Sequence, residues 1–170
     1  MSTLLTPRKA STKSSRARVS KKLRSSGGPT VGVVRFCISG SKGPKTRFSP
    51  DTLIHELEKG LPFAELDMLR TSLGIPMESL AVRVGISRPT LHRRKGQGRL
   101  TSDESDRLVR FARLMGMAVQ ALGTEQDARV WLGSPQHGLG GAIPLDYART
   151  EIGAREVEDL LGRIEYGVFS

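Results

Sequence analysis

The stretch Met77–Lys95, MESLAVRVGISRPTLHRRK, decides the fold of this chain. Leu80, Ala81 and Val84 fall at i, i+1 and i+4, which gives the first half one apolar helical face. Gly85 follows, a residue suited to the positive φ that often ends a helix. Ser87 then has the side chain of an N-cap. The second segment buries Ile86 and Leu91 and turns Arg88, Thr90, Arg93, Arg94 and Lys95 outward. Three consecutive bases near the end of a short helix suit a DNA groove better than a protein core. The segment therefore reads as a helix-turn-helix, with Ser87, Arg88, Thr90, Arg93, Arg94 and Lys95 as candidate contacts to double-stranded DNA. A basic, solvated surface helix is the competing reading. Pro89 fits this helix only if it lies in the first turn.

The helical pattern extends to both sides. Ser49-Pro50-Asp51 is a helix start, with a cap-type residue and Pro in the first turn. Leu53, Ile54 and Leu57 form its apolar face and Gly60 closes it. Pro62 opens a helix with Phe63, Leu66 and Leu69 inward and Gly74 as its stop. Beyond the basic segment, Thr101-Ser102-Asp103-Glu104 is a cap followed by first-turn acids. Leu108, Phe111, Ala112, Met115 and Val119 then carry a long helix to Gly123. Five helices over residues 49–123 suit an all-α DNA-binding domain.

A second module occupies residues 124–170. Thr124 with Asp127 opens a helix bearing Ala128, Trp131 and Leu132, followed by the turn-rich connector Gly133–Gly141. Pro144 starts a short helix through Arg149, and Gly153 separates it from a last helix with Val157, Leu160, Leu161 and Ile164 on one face. The chain ends on Tyr166-Gly167-Val168-Phe169-Ser170 without a polar tail. Such an apolar end either folds back on its own helix or docks into a partner, where aromatic anchors supply much of the binding energy.

Residues 1–48 differ in kind. The first 50 residues carry twelve Lys and Arg and no acid, so the net charge of +10 resides in this third of the chain. Rich in Ser, Thr, Gly and Pro, the segment 1–48 is expected to be a disordered basic tail. Within it, Val31–Ser39, VGVVRFCIS, has the composition of one short strand with no partner strand in the chain. Pairing with a second copy or remaining loose are its two options. The basic, Ser-rich start superficially resembles an organellar transit peptide but lacks an amphipathic stripe.

Little in the chain suggests catalysis. His55, His92 and His137 sit in different segments without Glu or Cys at metal-ligand spacing. The Gly133–Gly141 connector lacks the GxxxxGK[ST] phosphate-loop pattern. Glu156, Glu158 and Asp159 read as the solvated face of the last helix. No metal, cofactor or catalytic residue is expected. Cys37 is alone, which excludes an internal disulfide and fits a reducing cytoplasm. No apolar run reaches the roughly 20 residues of a membrane span.

Several of these residues together resemble a known family. Trp131-Leu132, the Pro-containing connector, Leu139-Gly140-Gly141, Pro144-Leu145-Asp146, Thr150, Gly153, Val157, Leu160 and Ile164-Glu165-Tyr166-Gly167-Val168 resemble the C-terminal domain of the Xre/MbcA/ParS antitoxins. The segment from about Glu65 to Gly123, with Gly85-Ile86-Ser87, Thr90-Leu91, Arg93-Arg94 and Ser102–Leu108, is similar to the Xre-type helix-turn-helix half of that family. The tail has no counterpart. The resemblance implies an antitoxin whose partner is a toxin with a RES domain, a fold related to ADP-ribosyltransferases that consumes NAD. It further implies that the C-terminal domain caps the toxin's NAD pocket, and that the antitoxin represses its own operon as a homodimer within a larger toxin–antitoxin complex. Trp131, Leu139, Pro144, Glu165, Tyr166, Gly167, Val168, Phe169 and Ser170 are the expected toxin-binding residues. The alternatives are a stand-alone helix-turn-helix transcriptional regulator with a dimerisation or sensing domain, and a toxin-neutralising protein whose helix-turn-helix is only a scaffold.

Overall fold

The computed structural model describes residues 32–39 and 49–167, which contain nine α-helices and no strand. The helices are α1 (Val33–Ser39), α2 (Pro50–Lys59), α3 (Phe63–Leu73), α4 (Met77–Val84) and α5 (Arg88–Gln97). The longest, α6 (Ser102–Leu122), is followed by α7 (Glu125–Gly133), a 3-10 turn at His137–Leu139, α8 (Pro144–Tyr147) and α9 (Glu151–Glu165).

Local chemistry places most of these boundaries. Ser49, Ser87, Thr101, Thr124 and Thr150 each accept a hydrogen bond from a backbone N–H in the following first turn, which satisfies donors that a helix start leaves open. Thr101 and Glu104 complete a reciprocal capping box. Gly85 adopts φ +77 and ends α4, its N–H donating back to Ala81 O and Val82 O. A side chain there would also collide with the Arg107 guanidinium lying over it.

The spine is α6. Leu108, Phe111, Ala112, Leu114, Met115 and Ala118 are buried along it, and both the preceding helices and α7 and α9 pack against it. One continuous core therefore runs from Leu66 and Leu80 on one side to Leu132, Val157 and Leu161 on the other. Three side-chain pairs staple α6 to α9: Arg110–Glu151 at 3.0 Å, Arg113–Glu158 at 2.6 Å and Gln120–Glu165 at 2.7 Å. Because these pairs advance together along both helices, α6 and α9 run in the same direction.

Three expectations need correction. Val33–Ser39 is a helix, not a strand or loose chain, and so part of the tail expected to be disordered is ordered. Val33 and Val34 are fully buried, and the backbone N–H groups of Gly32 and Val34 donate to the buried Glu65 carboxylate at 2.6 and 2.9 Å. A lone strand would leave both edges unpaired, whereas a helix satisfies its backbone internally and Glu65 caps its open end. Gly116 makes the fit possible, since a Cβ there would strike the Cys37 carbonyl. The rest of the 1–48 tail lies outside the described residues. The helix begun at Pro144 stops at Tyr147 rather than Arg149. Gly153 does not separate two helices; it lies in the first turn of α9, where any Cβ would meet Tyr147 O.

Candidate functional sites

Helix α5 owes its position to its ends. None of its residues is fully buried, and only Leu91 packs partly against the core. Ser87 caps the start, accepting from Thr90 N at 3.4 Å and donating its hydroxyl to Thr90 Oγ1 at 3.0 Å. Pro89 falls in the first turn, where no intrahelical hydrogen bond is lost. At the other end, Arg94 Nε donates to Glu104 Oε2 at 2.7 Å and its Nη1 to Gln97 Oε1 at 2.9 Å.

The expected DNA-contacting residues thus separate into three groups. Arg88, Arg93 and Lys95 are exposed and pair with no carboxylate among the described residues, and His92 is exposed beside them. Ser87 and Thr90 form the cap, exposed and half-buried respectively. Arg94 is mostly covered and committed to Glu104, so it fixes the angle of α5 against α6. Arg99 is likewise occupied, donating through Nε and Nη2 to Gly60 O. What remains is a short cationic ridge without acids, standing off the body of the domain. Beside it a groove of about 680 Å³ runs between α3, α4 and α5, lined by Phe63, Met77, Leu91 and Lys95 among others.

Glu104 is the one titrating group that bears on this geometry. Burial by itself pushes its pKa up, but hydrogen bonds from Arg94 and Thr101, with the Arg94 charge, outweigh burial and hold the carboxyl below its ordinary value. It is the carboxylate that clamps α5.

The C-terminal candidates also divide. Leu139 and Pro144 are buried and Trp131 is half-buried. The Trp131 carbonyl accepts from Gln136 Nε2 at 2.9 Å, and a bridge between Gln136 and Ala142 closes the connector into a tight loop. These three residues support the surface from beneath. Glu165, Tyr166 and Gly167 stand at the end of α9, with Tyr166 79% exposed, while Glu165 accepts from Gln120. Tyr166 does not fold back onto α9. Val168, Phe169 and Ser170 lie outside the described residues.

The Arg110–Glu151 and Arg113–Glu158 ion pairs and the Gln120–Glu165 hydrogen bond are not read from the sequence; on each helix their residues fall at helical spacing, but the intervals on α6 and α9 differ, so no shared repeat marks them. Among the described residues no group of three potential metal ligands occurs, and no helix is long and apolar enough to cross a membrane.

Comparison with known proteins gives this geometry its context. Residues 52–113 match the Antitoxin Xre-like helix-turn-helix domain, and residues 117–167 match the Antitoxin Xre/MbcA/ParS C-terminal toxin-binding domain. The chain is 38% identical over 120 residues to Antitoxin Xre of Yersinia enterocolitica, covering 69% of this chain and 81% of that protein. It is 35% identical over 122 residues to Antitoxin Xre of Photorhabdus laumondii, covering 71% and 75%. To Antitoxin Xre of Pseudomonas putida it is 33% identical over 93 residues, covering 55% and 52%. The two matched domains meet within α6, the helix that also joins them physically. The chain belongs to the Xre family of antitoxins.

Proposed function

We propose that this protein neutralises a RES-domain toxin by seating the end of α9 in the toxin's NAD pocket, and that it represses its own operon through α5. The observation that carries the first half is the exposed aromatic end of α9, centred on Tyr166, at the edge of the segment matching a toxin-binding domain. An NAD pocket accepts flat rings and an anionic pyrophosphate, so it is concave, partly apolar and cationic. Tyr166 with Val168 and Phe169 supplies an apolar plug, and Glu165 supplies negative charge. Trp131, Leu139 and Pro144 hold the module rigid, which lowers the entropy lost on docking. No enzymatic step by this chain is involved, and the complex acts in the cytoplasm.

The second half rests on the unpaired bases of α5. Arg88, Arg93 and Lys95 reach bases or phosphates of a duplex, and two copies related by two-fold symmetry read half-sites about one helical turn apart. Co-expression with the product of the neighbouring gene, followed by pull-down and an assay of NAD consumption, tests the neutralising role. A toxin that consumes NAD equally fast in the presence of excess antitoxin would rule it out.

A further inference from the structure

A cleft of about 470 Å³ opens where the two matched domains face each other. Arg83 and Gly85 border it from the end of α4, Arg107 from α6, and Asp146, Tyr147 and Arg149 from α8 and the turn behind it. Arg83 spans the seam: Nη1 donates to Ser79 O at 3.1 Å and Nη2 reaches Asp146 Oδ1 at 2.9 Å. Its Nε is buried and has no hydrogen-bond partner among the described residues. Arg107 spends one Nη1–H on Val84 O at 3.2 Å, lying over the bare Cα of Gly85. Arg149 uses only its backbone carbonyl, which accepts from Arg110; its guanidinium meets no acid among the described residues.

Three arginines thus line one cleft in which Asp146, half-exposed, is the single lining carboxylate. Gathering like charges is unfavourable unless something of opposite sign joins them. The local excess of about two positive charges matches a dianion better than a single carboxylate. Guanidinium N–H forks match tetrahedral oxyanions, bonding two oxygens at once. We infer that this cleft is a phosphate-binding site built jointly by the helix-turn-helix and the C-terminal module, taking the phosphate group either of a small phosphate-bearing solute or of a nucleic-acid backbone. A phosphate there would bond across the seam and stiffen α4 against α8. The site does not depend on the toxin or on base recognition by α5.

Calorimetric titration of the full chain with inorganic pyrophosphate tests it, using wild type, Arg149→Gln, the double variant Arg107→Gln/Arg149→Gln, and Arg155→Gln as control. Arg155 is exposed on α9 and pairs only with Glu151, so its loss reports nonspecific charge effects, and binding to the basic tail is common to all four. Circular dichroism and thermal melts confirm that each variant is folded. A site filled by a free solute gives one saturable event per chain, weakened about tenfold or more by Arg149→Gln and unchanged by Arg155→Gln. If pyrophosphate shows no such event, but Arg149→Gln lowers affinity for random-sequence duplex and reduces its salt slope by about one, the phosphate is that of the nucleic-acid backbone. Indifference of both ligands to Arg149→Gln and to the double variant overturns the proposal. Inhibition of the toxin is expected to be unchanged throughout, which separates failure here from failure of the neutralising role.

Discussion

Arg94 Nε and the backbone N–H of Thr101 donate to the same oxygen, Oε2 of Glu104, at 2.7 and 2.8 Å. One carboxylate oxygen therefore caps α6 and holds the C-terminal end of α5. The pair is largely covered, with side chains 15% and 10% exposed, so solvent weakens it less than the surface pairs elsewhere on the domain. The ridge that carries Arg88, Arg93 and Lys95 takes its orientation from this clamp.

Glu104→Gln keeps an oxygen for Thr101 but removes the charge that Arg94 needs. We expect a loss of roughly 1–3 kcal/mol at neutral pH. The folded pKa of Glu104 is depressed, so its contribution is complete above the unfolded value near 4.3 and disappears as pH falls through the lower folded value. The gap between wild type and variant, read by thermal melts, is expected to close as pH falls below about 4. A gap of equal size at pH 7 and pH 2.5 would show that the charge is not its source.

The buried Glu65 makes a second prediction. Deleting residues 1–31 removes eight bases and leaves Gly32 and α1 in place. Deleting residues 1–48 also strips Val33 and Val34 from the core and leaves a buried carboxylate without its two backbone donors. The shorter deletion is expected to leave the melting temperature unchanged, while the longer one costs at least about 3 kcal/mol. Equal stability of both truncations would mean that α1 contributes nothing to the fold.

These two clamps show what can be read from sequence and what cannot. The α4–α5 pair was legible because its signals are local: apolar spacing, Gly85 as the stop and Ser87 as the cap all fall within about ten residues. Helix α1 was not, because Val33, Phe36 and Ile38 suit a strand equally well. What selects the helix is Glu65, about thirty residues away, together with the bare backbone of Gly116. Arg94 was grouped with its basic neighbours because an arginine facing solvent and one facing Glu104 look alike in one dimension. The Thr101–Glu104 capping box was visible, but not that its acid had a second partner. In the C-terminal module, Leu139 and Pro144 were singled out as docking residues and are buried; their neighbours Glu165, Tyr166 and Gly167 are the ones exposed.

Cys37 gives a simple check on how firmly α1 is seated. Burial pushes its thiol up to about 11, a rise that nearby Arg113 partly opposes. The thiolate is the reactive form, so alkylation at pH 8 is expected to be much slower than for an unfolded peptide. Glu65→Ala, which loosens α1, is expected to speed it by about tenfold or more. Identical rates in both proteins would show that α1 stays seated without Glu65.

On α5 the structure separates the exposed cations Arg88, Arg93 and Lys95 from Arg94, which positions the helix. Arg88→Ala or Arg93→Ala is expected to weaken binding to the protein's own upstream DNA by about 1–3 kcal/mol with no change in melting temperature. Arg94→Ala is expected to lower both, because it releases the helix as well as a charge. Deleting residues 1–31 is expected to flatten the salt dependence of affinity without changing the protected sequence. Footprints that are absent with and without toxin would remove the repressor role altogether.

The end of α9 allows the sharpest test, because Tyr166 carries little of the fold. Tyr166 is 79% exposed and caps α9 through its backbone N–H alone, which donates to Gly162 O and Ile164 O. Ending the chain after Glu165 keeps α9, the Gln120–Glu165 contact and the buried Val157 and Leu161. That truncation is expected to melt within a few degrees of the full chain and to retain DNA binding, yet to lose toxin inhibition. Tyr166→Ala and Phe169→Ala are expected to weaken the toxin complex by roughly 1–3 kcal/mol each if the side chains are buried in the toxin pocket. Toxin assays with NAD distinguish a plug from remote docking: a plug competes with NAD, so raising NAD restores activity against Tyr166→Ala more readily than against wild type. Full inhibition by the chain ending at Glu165 would place the blocking surface elsewhere on the module and exclude the end of α9 as the plug.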